Sequence, residues 1–199
     1  MENKKSQTDP RILRTRKLIK DAFVELLEEM DIQKISVNRL AERATINRVT
    51  FYLHYRDIPD MLGKMTEDMI EDISMALNKT QMNHIFSEDE IWQTLENLLE
   101  HIAEYANFYK VILTSKQIPI FRDSLLKLLR ERISTRIEEH GRYTDYQIKD
   151  VKRDVMIWYH SSAIIGTIIS WLQNDMPYTP TFLAKQFSLL HHRRLNEES

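Results

Sequence analysis

Arg48, Thr50, Tyr52 and His54 fall within one short stretch, NRVTFYLHYR, at positions 47–56. A guanidinium can pair with a guanine edge, Thr and Tyr hydroxyls can bond to phosphate, and aliphatic neighbours such as Val49 and Leu53 can meet thymine methyls. Helical spacing decides which of these groups are free. Phe51 and Tyr55 sit one turn apart and should face a core. At about 100° per residue, Val49, Thr50, Tyr52, Leu53 and in part Arg48 then point elsewhere. Exposed Val and Leu beside Tyr, Thr and Arg make a poor solvent face and a good groove-reading face. The competing reading is a helix buried on all sides by the rest of the chain.

Other chemistries find less support. The seven histidines are scattered along the chain. His101 and Glu104 share a helical face, but nothing near them completes a ligand set, so a solvated face is expected. His191 and His192 stand beside Arg193 and Arg194 in an expected surface tail. There is no Gly-rich phosphate loop and no nucleophile elbow. No metal, no cofactor and no enzyme activity are expected. The absence of cysteine excludes disulfides and thiolate metal sites and suits a reducing compartment.

The elements that must position the 47–56 stretch read as helices. The chain has 199 residues with 42% hydrophobic and 29% charged, enough for a real core and too apolar for disorder. Gly (3) and Pro (5) are scarce, which favours long helices over a many-stranded sheet. Residues 1–56 hold 12 Lys/Arg against 8 Asp/Glu, a net +4, and the remainder is −6. A basic head on an acidic body fits a protein that touches phosphate with one end, although so small a difference carries little weight alone. The polar start MENKKSQTD does not resemble a signal peptide. The most apolar stretch, Ser161 to Leu172, is shorter than the ~20 residues of a bilayer span, so a cytoplasmic protein without a membrane partner is expected.

Taken in order, Asp9-Pro10 starts a helix whose apolar stripe runs Ile12, Ile19, Phe23, Leu26 and Met30. Its bases come first (Arg11, Arg14, Arg16, Lys17, Lys20) and its acids last, against the helix dipole. A phosphate backbone would favour that order, and so would a merely solvated basic face. Ser36 can cap a second helix and Asn47 a third, with Thr45-Ile46 as the turn between them. Asp57 caps a fourth that runs to about Lys79. A polar break at Thr80–Ser87 precedes a helix started by Ser87. A bend at Tyr105 and a helix starting at Pro119 follow. Gly141 is expected as a stop, a long helix as spanning Tyr146 to Asp175, and a last one as beginning near Thr181.

On Ser36, Leu40-Ala41, Ala44, Ile46, Thr50-Phe51-Tyr52, His54-Tyr55 and Leu62, the sequence resembles the N-terminal domain of the TetR family of transcriptional regulators. The likeness is continuous over Ser36–Leu62 and extends back through the first helix. Two positions depart from the family pattern. Thr45 stands where a turn glycine is common, and Ile58 where a base is common, so that a phosphate contact is either missing there or supplied by Arg56. Further on, Trp158-Tyr159, Ala163, Gly166, Ser170-Trp171-Leu172, Met176-Pro177 and Pro180 are similar to a C-terminal domain type widespread in Firmicutes members. The resemblance implies an all-α fold: a three-helix helix-turn-helix domain over 1–56 and a helical-bundle regulatory and dimerisation domain over 57–199. It also implies a homodimer on a palindromic double-stranded DNA operator, expected to be a repressor released by an effector. An activator, or control by a protein co-regulator instead of a small molecule, stays open. Carried over by position, Ser36, Asn47, Arg48, Val49, Thr50, Tyr52, Leu53, His54 and Arg56 face DNA.

Two further expectations concern the body. Ser162, Gly166 and Ser170 are small residues four apart, with Ala163 adjacent, and read as a helix–helix seam at the dimer interface or as a close crossing within the chain. Met65, Met69, Phe108, Tyr109, Phe121 and Trp158 are large adaptable side chains that could line an effector pocket, or plain core. A helical scaffold that binds no DNA and a small-molecule enzyme or carrier remain as competing classes. Exposed Arg48, Thr50 and Tyr52 disfavour the scaffold, and the missing catalytic set disfavours the enzyme.

Overall fold

The computed structural model describes residues 9–79, 88–140 and 151–192, and every described element is helical. In order these are α1 (Pro10–Glu29), a single 3-10 turn (Ile32–Lys34), α2 (Val37–Arg43), α3 (Arg48–Tyr52) and α4 (Ile58–Leu77). Then come α5 (Glu88–Glu104), α6 (Ala106–Thr114), α7 (Pro119–His140), α8 (Arg153–Gln173) and α9 (Pro180–His192). The Thr80–Ser87 break, the Gly141 stop, the start expected at Tyr146 and the Arg193-Arg194 tail lie outside the described residues. The chain divides into two compact units after Glu67, within α4.

In the first unit the helix starts follow local capping chemistry. Asp9 Oδ1 accepts from the Arg11 amide at 2.9 Å, Ser36 Oγ from the Arg39 amide at 3.3 Å, and Asn47 Oδ1 from the Val49 amide at 2.8 Å. Asp57 Oδ1 takes the Asp60 amide at 2.7 Å at the head of α4. Each cap satisfies an amide that has no partner inside its helix. Ile19, Phe23 and Leu26 of α1 are buried with Leu40, Ala44, Phe51, Tyr55 and Met61. α1 packs on α2 and α2 on α3. Arg43 ties the first pair from outside: its guanidinium meets Glu29 through two hydrogen bonds at 2.8 and 2.7 Å and Glu25 at 3.2 Å. That guanidinium holds the Glu29 carboxyl below its ordinary value. Two of the acids that opposed the dipole at the end of α1, Glu25 and Glu29, therefore have a partner on α2.

The α2–α3 turn is closed by the Ile46 amide on Ala41 O at 2.9 Å and the Thr45 amide on Glu42 O at 3.1 Å. These are the two bonds of a Schellman ending, whose bridging residue must be left-handed. That residue is Thr45, with φ 54°. A β-branched side chain is costly there, by roughly 1–2 kcal/mol. Thr45→Gly is expected to stabilise the full chain by about 1 kcal/mol, after the extra entropy of glycine in the unfolded state is subtracted. The check is a higher thermal midpoint together with slower amide exchange at Thr45 and Ile46. A lower midpoint would mean that the threonine side chain contributes more than its strain costs.

In the second unit α5 packs on α9, and α8 packs on both α6 and α7. Leu98, Leu99, Ile102, Ile112, Phe121, Leu125, Ile168 and Leu172 are buried there. Tyr105 breaks α5 from α6 with φ −114° and ψ 36°. α8 begins at Arg153, after Lys152 leaves the helical region. At 21 residues α8 extends well upstream of the apolar Ser161–Leu172 run, and by length and composition alone it could cross a membrane. Its Met156, Ser161, Ile165, Ile168, Trp171 and Leu172 are buried in the unit. The corner to α9 is set by Trp171 Nε1, which donates to Tyr178 O at 2.9 Å. Asp175 and Met176 take φ 55° and 50° in the same corner.

Candidate nucleic-acid interface

α3 is only five residues long, so packing below must hold it, since so short a helix is not stable by itself. Phe51 is fully buried and Tyr55 nearly so, their ring centroids 5.5 Å apart. The opposite side stands out from the unit. Val49 is 67% exposed, Leu53 76% and Tyr52 46%. Arg48 is exposed with them, Thr50 and His54 are half-buried, and Ser36, Asn47 and Arg56 are exposed.

Two cations on this side are already oriented. Arg48 Nη2 donates to Tyr52 Oη at 3.0 Å, and its guanidinium lies 5.4 Å from that ring's centre. Tyr52 in turn meets Phe51 edge-on at 5.6 Å. A buried ring thus braces an exposed ring, which carries an arginine. Arg56 is held by Asp60: its amide donates at 3.0 Å, and its Nε and Nη2 at 3.2 and 3.0 Å. Lys64 Nζ reaches back to the same carboxylate at 3.0 Å and to the His54 carbonyl at 3.0 Å. These donors hold the Asp60 carboxyl well below its ordinary range. Burial, with the Arg16 and Lys64 charges, holds the His54 imidazole below its ordinary value, which favours the neutral ring. The sequence reading missed Lys64 and Arg16 here, because nothing in their spacing marks either as a neighbour of His54.

In the body, Ser162, Gly166 and Ser170 are exposed and Ala163 is half-buried. A Cβ built on Gly166 would meet nothing within 4 Å among the described residues. Among the described residues no element crosses closely at that glycine. Val155 and Tyr159, 47% and 53% exposed, continue the same stripe toward the start of α8.

Of the side chains expected at an effector pocket, Met69, Phe108, Tyr109 and Phe121 are buried in the second unit, and Met65 is buried in the first. Trp158 does not join them: it is 53% exposed. It lies about 200° around α8 from the buried Met156, at the edge of the packed stripe. His101 also corrects its expectation. It is not on a solvated face but shares a hydrogen bond of 2.7 Å between Nε2 and the Tyr109 hydroxyl. Burial, with Asp72 and Tyr105 nearby, pushes that phenol far up, so it stays protonated. Tyr109 of this pair meets Phe108 edge-on at 5.3 Å, and Phe108 in turn meets Phe121 edge-on at 6.2 Å. The i, i+4, i+8 spacing of His101, Tyr105 and Tyr109 was its only trace in the sequence.

Two short capped helices around a Schellman turn, the second braced by a buried aromatic, define a helix-turn-helix protein with a helical body. A TetR C-terminal family model, described as a transcriptional regulator C-terminal region, matches residues 89–193. The chain belongs to the TetR family of transcriptional regulators. It is 24% identical over 188 residues to the uncharacterized HTH-type transcriptional regulator YxbF of Bacillus subtilis (strain 168), a match covering 88% of this chain but only 44% of that protein. It is 26% identical over 152 residues to DhaS, the HTH-type dhaKLM operon transcriptional activator of Lactococcus lactis, covering 75% of each. A solved TetR regulator from Streptococcus agalactiae 2603V shares the fold, with a TM-score of 0.65 and 24% identity over 92% of this chain and 96% of that one.

Proposed function

We propose that this chain is a non-enzymatic, cytoplasmic DNA-binding regulator that works as a homodimer on a palindromic operator. Residues 1–56 are the reader and residues 57–199 the regulatory and dimerising body. The observation that carries this reading is the outer face of α3: Val49 and Leu53, two-thirds or more exposed, flank an Arg48–Tyr52 pair whose geometry is already set. A face of that composition is expensive to leave in water and is matched to thymine methyls, a base edge and phosphate. Ser36, Asn47, Thr50, His54 and Arg56 supply polar contacts around it.

Reading a palindrome needs two linked copies, with half-sites about one helical turn apart, roughly 34–36 Å. The stripe of Ser162, Gly166 and Ser170 with adjacent Ala163 is assigned to that pairing. Its support is the open space in front of Gly166 and the apolar side chains left outside on the same helix. We assign repression released by an effector that binds within the second unit near Met69, Phe108, Tyr109 and Phe121, where His101 and Tyr109 offer a polar handle. Such a ligand changes DNA affinity by its difference in affinity for the two states, typically ~1–3 kcal/mol. Activation is the second reading, favoured by the likeness to DhaS, whose name calls it an activator. A protein partner on the body would use the same coupling.

The deciding experiment is selection from a random duplex library with the full chain, followed by binding at several salt concentrations. Enrichment of a palindrome and affinity that falls steeply with salt are expected. No enriched sequence, or binding indifferent to salt, would sink the proposal. Placing the selected site upstream of a reporter then separates repression from activation.

A further inference from the structure

Tyr55 closes the end of α3, and one ion pair of α4 grips the backbone on both sides of it. Lys64 Nζ donates to the His54 carbonyl at 3.0 Å and to Asp60 Oδ2 at 3.0 Å. The same Oδ2 accepts the Arg56 amide at 3.0 Å. The bonds therefore run from His54 O through Lys64 and Asp60 to Arg56 N, and bridge the two backbone groups that flank Tyr55. Lys64 Nζ also lies 5.5 Å from the centre of the Tyr55 ring. That ring in turn stands 5.5 Å from the buried Phe51 of α3. Asp60 and Lys64 are one turn apart on α4, the acid first, which is the favourable order for such a pair. Their side chains are 10% and 38% exposed, so both are folded onto the connection between α3 and α4.

A helix of five residues cannot set its own direction. Phe51 and Tyr55 hold α3 from below, but apolar packing is non-directional, whereas hydrogen bonds fix angle as well as distance. The directional ties from α4 to the His54–Arg56 segment are those of Asp60 and Lys64. We propose that this pair sets the direction in which α3 presents Arg48, Val49, Tyr52 and Leu53, and that Lys64 is a positioning residue for operator recognition which itself touches no DNA. Its ammonium already has two oxygen acceptors and a ring face, so it needs no phosphate to satisfy it. This inference rests on the DNA-binding reading above and adds to it a residue outside the reading face.

The test compares the full-length protein with Lys64→Met and Lys64→Arg. Methionine keeps an apolar stem over the Tyr55 ring and removes both hydrogen bonds. Asp60 keeps the Arg56 amide and guanidinium in that variant, so its charge is not left bare. Arginine can still reach both oxygens. Binding to the selected duplex and to a random duplex is measured over a range of salt concentrations. Amide exchange by NMR is followed without DNA.

Lys64→Met should lose about tenfold in affinity per protomer for the selected duplex, as when only a tenth of the molecules hold α3 in the competent direction. Binding to the random duplex should stay within about twofold and the salt slope should not change, because the phosphate contacts are untouched. Lys64→Arg should recover most of the loss. The Tyr55 and Arg56 amides should exchange about tenfold faster in Lys64→Met, with those of α1 and α2 unchanged. Wild-type affinity in Lys64→Met would overturn the proposal. So would a salt slope lower by about one per protomer, since Lys64 would then be a phosphate contact. Equal losses on both duplexes, or faster exchange throughout α1 and α2, would reduce Lys64 to a general role in stability. Failure of any duplex to bind removes the DNA-binding reading itself, and unchanged exchange at Tyr55 and Arg56 would then remove the clamp as well. Sequence-specific binding that ignores Lys64→Met removes only this inference.

Discussion

Tyr52→Ala is expected to weaken operator binding by about a hundredfold or more while leaving helical content and dimer mass unchanged. The substitution removes more than one hydroxyl. The Tyr52 ring is the platform on which Arg48 rests, 5.4 Å from its centre, and its hydroxyl accepts the Arg48 Nη2 hydrogen bond at 3.0 Å. Without the ring, Arg48 must be ordered anew at each binding event, which costs about 0.5–1.5 kcal/mol for such a side chain. The proposed direct contact is worth roughly 1–3 kcal/mol, and the proposed symmetric dimer would lose it twice. Because Tyr52 is 46% exposed, its removal leaves the fold nearly untouched. Tyr52→Phe separates the parts. It keeps the platform and drops the hydroxyl, so its affinity should fall between the two. Fluorescence anisotropy with the selected duplex, beside circular dichroism and sedimentation, measures all three quantities. Wild-type affinity in Tyr52→Ala would mean that the reading face lies elsewhere on the unit.

Gly166→Arg is expected to turn the proposed dimer into a folded monomer at micromolar concentration and to reduce operator affinity at least about a hundredfold through lost linkage of the two readers. Within one chain the site tolerates a side chain, since a Cβ there meets nothing within 4 Å among the described residues. Arginine also favours a helix interior over glycine by about 0.6–0.8 kcal/mol, so α8 itself should not weaken. Across a twofold axis the same change sets a bulky cation where two small surfaces should meet, and a second copy of it nearby. Gly166→Ala, one methyl larger, is the mild companion and should retain most of the dimer. Sedimentation equilibrium reads the outcome. An unaltered dimer in Gly166→Arg would place the interface away from this stripe.

The parts of the chain legible in its sequence are those governed by short-range physics. Asp9, Ser36, Asn47 and Asp57 accept the amides of helix starts because a cap and its amide lie within a few residues of each other. Phe51 and Tyr55 are buried and Val49 and Leu53 exposed because helical periodicity sorts them before any tertiary contact exists. Even the strain at Thr45 was readable, since a missing turn glycine shows as a departure at one position.

Other features depend on which helices cross, and no local spacing encodes that. The bracing of α1 on α2 by Arg43 joins residues 14 and 18 apart in sequence. His101 was expected on a solvated face and is instead bonded to a buried phenol across the break at Tyr105. Trp158, expected to line a pocket or to be plain core, is exposed because the packed stripe of α8 runs past it. The corner of Arg16, His54 and Lys64 gathers three separate segments. In sequence each is an ordinary surface base, and only tertiary packing brings the Arg16 and Lys64 charges near enough to hold the His54 imidazole below its ordinary value. Capping and periodicity determined the helices and the sides they present. Long-range packing decided which polar groups meet, because the energy of such a meeting depends on separation in space and on the water excluded around it.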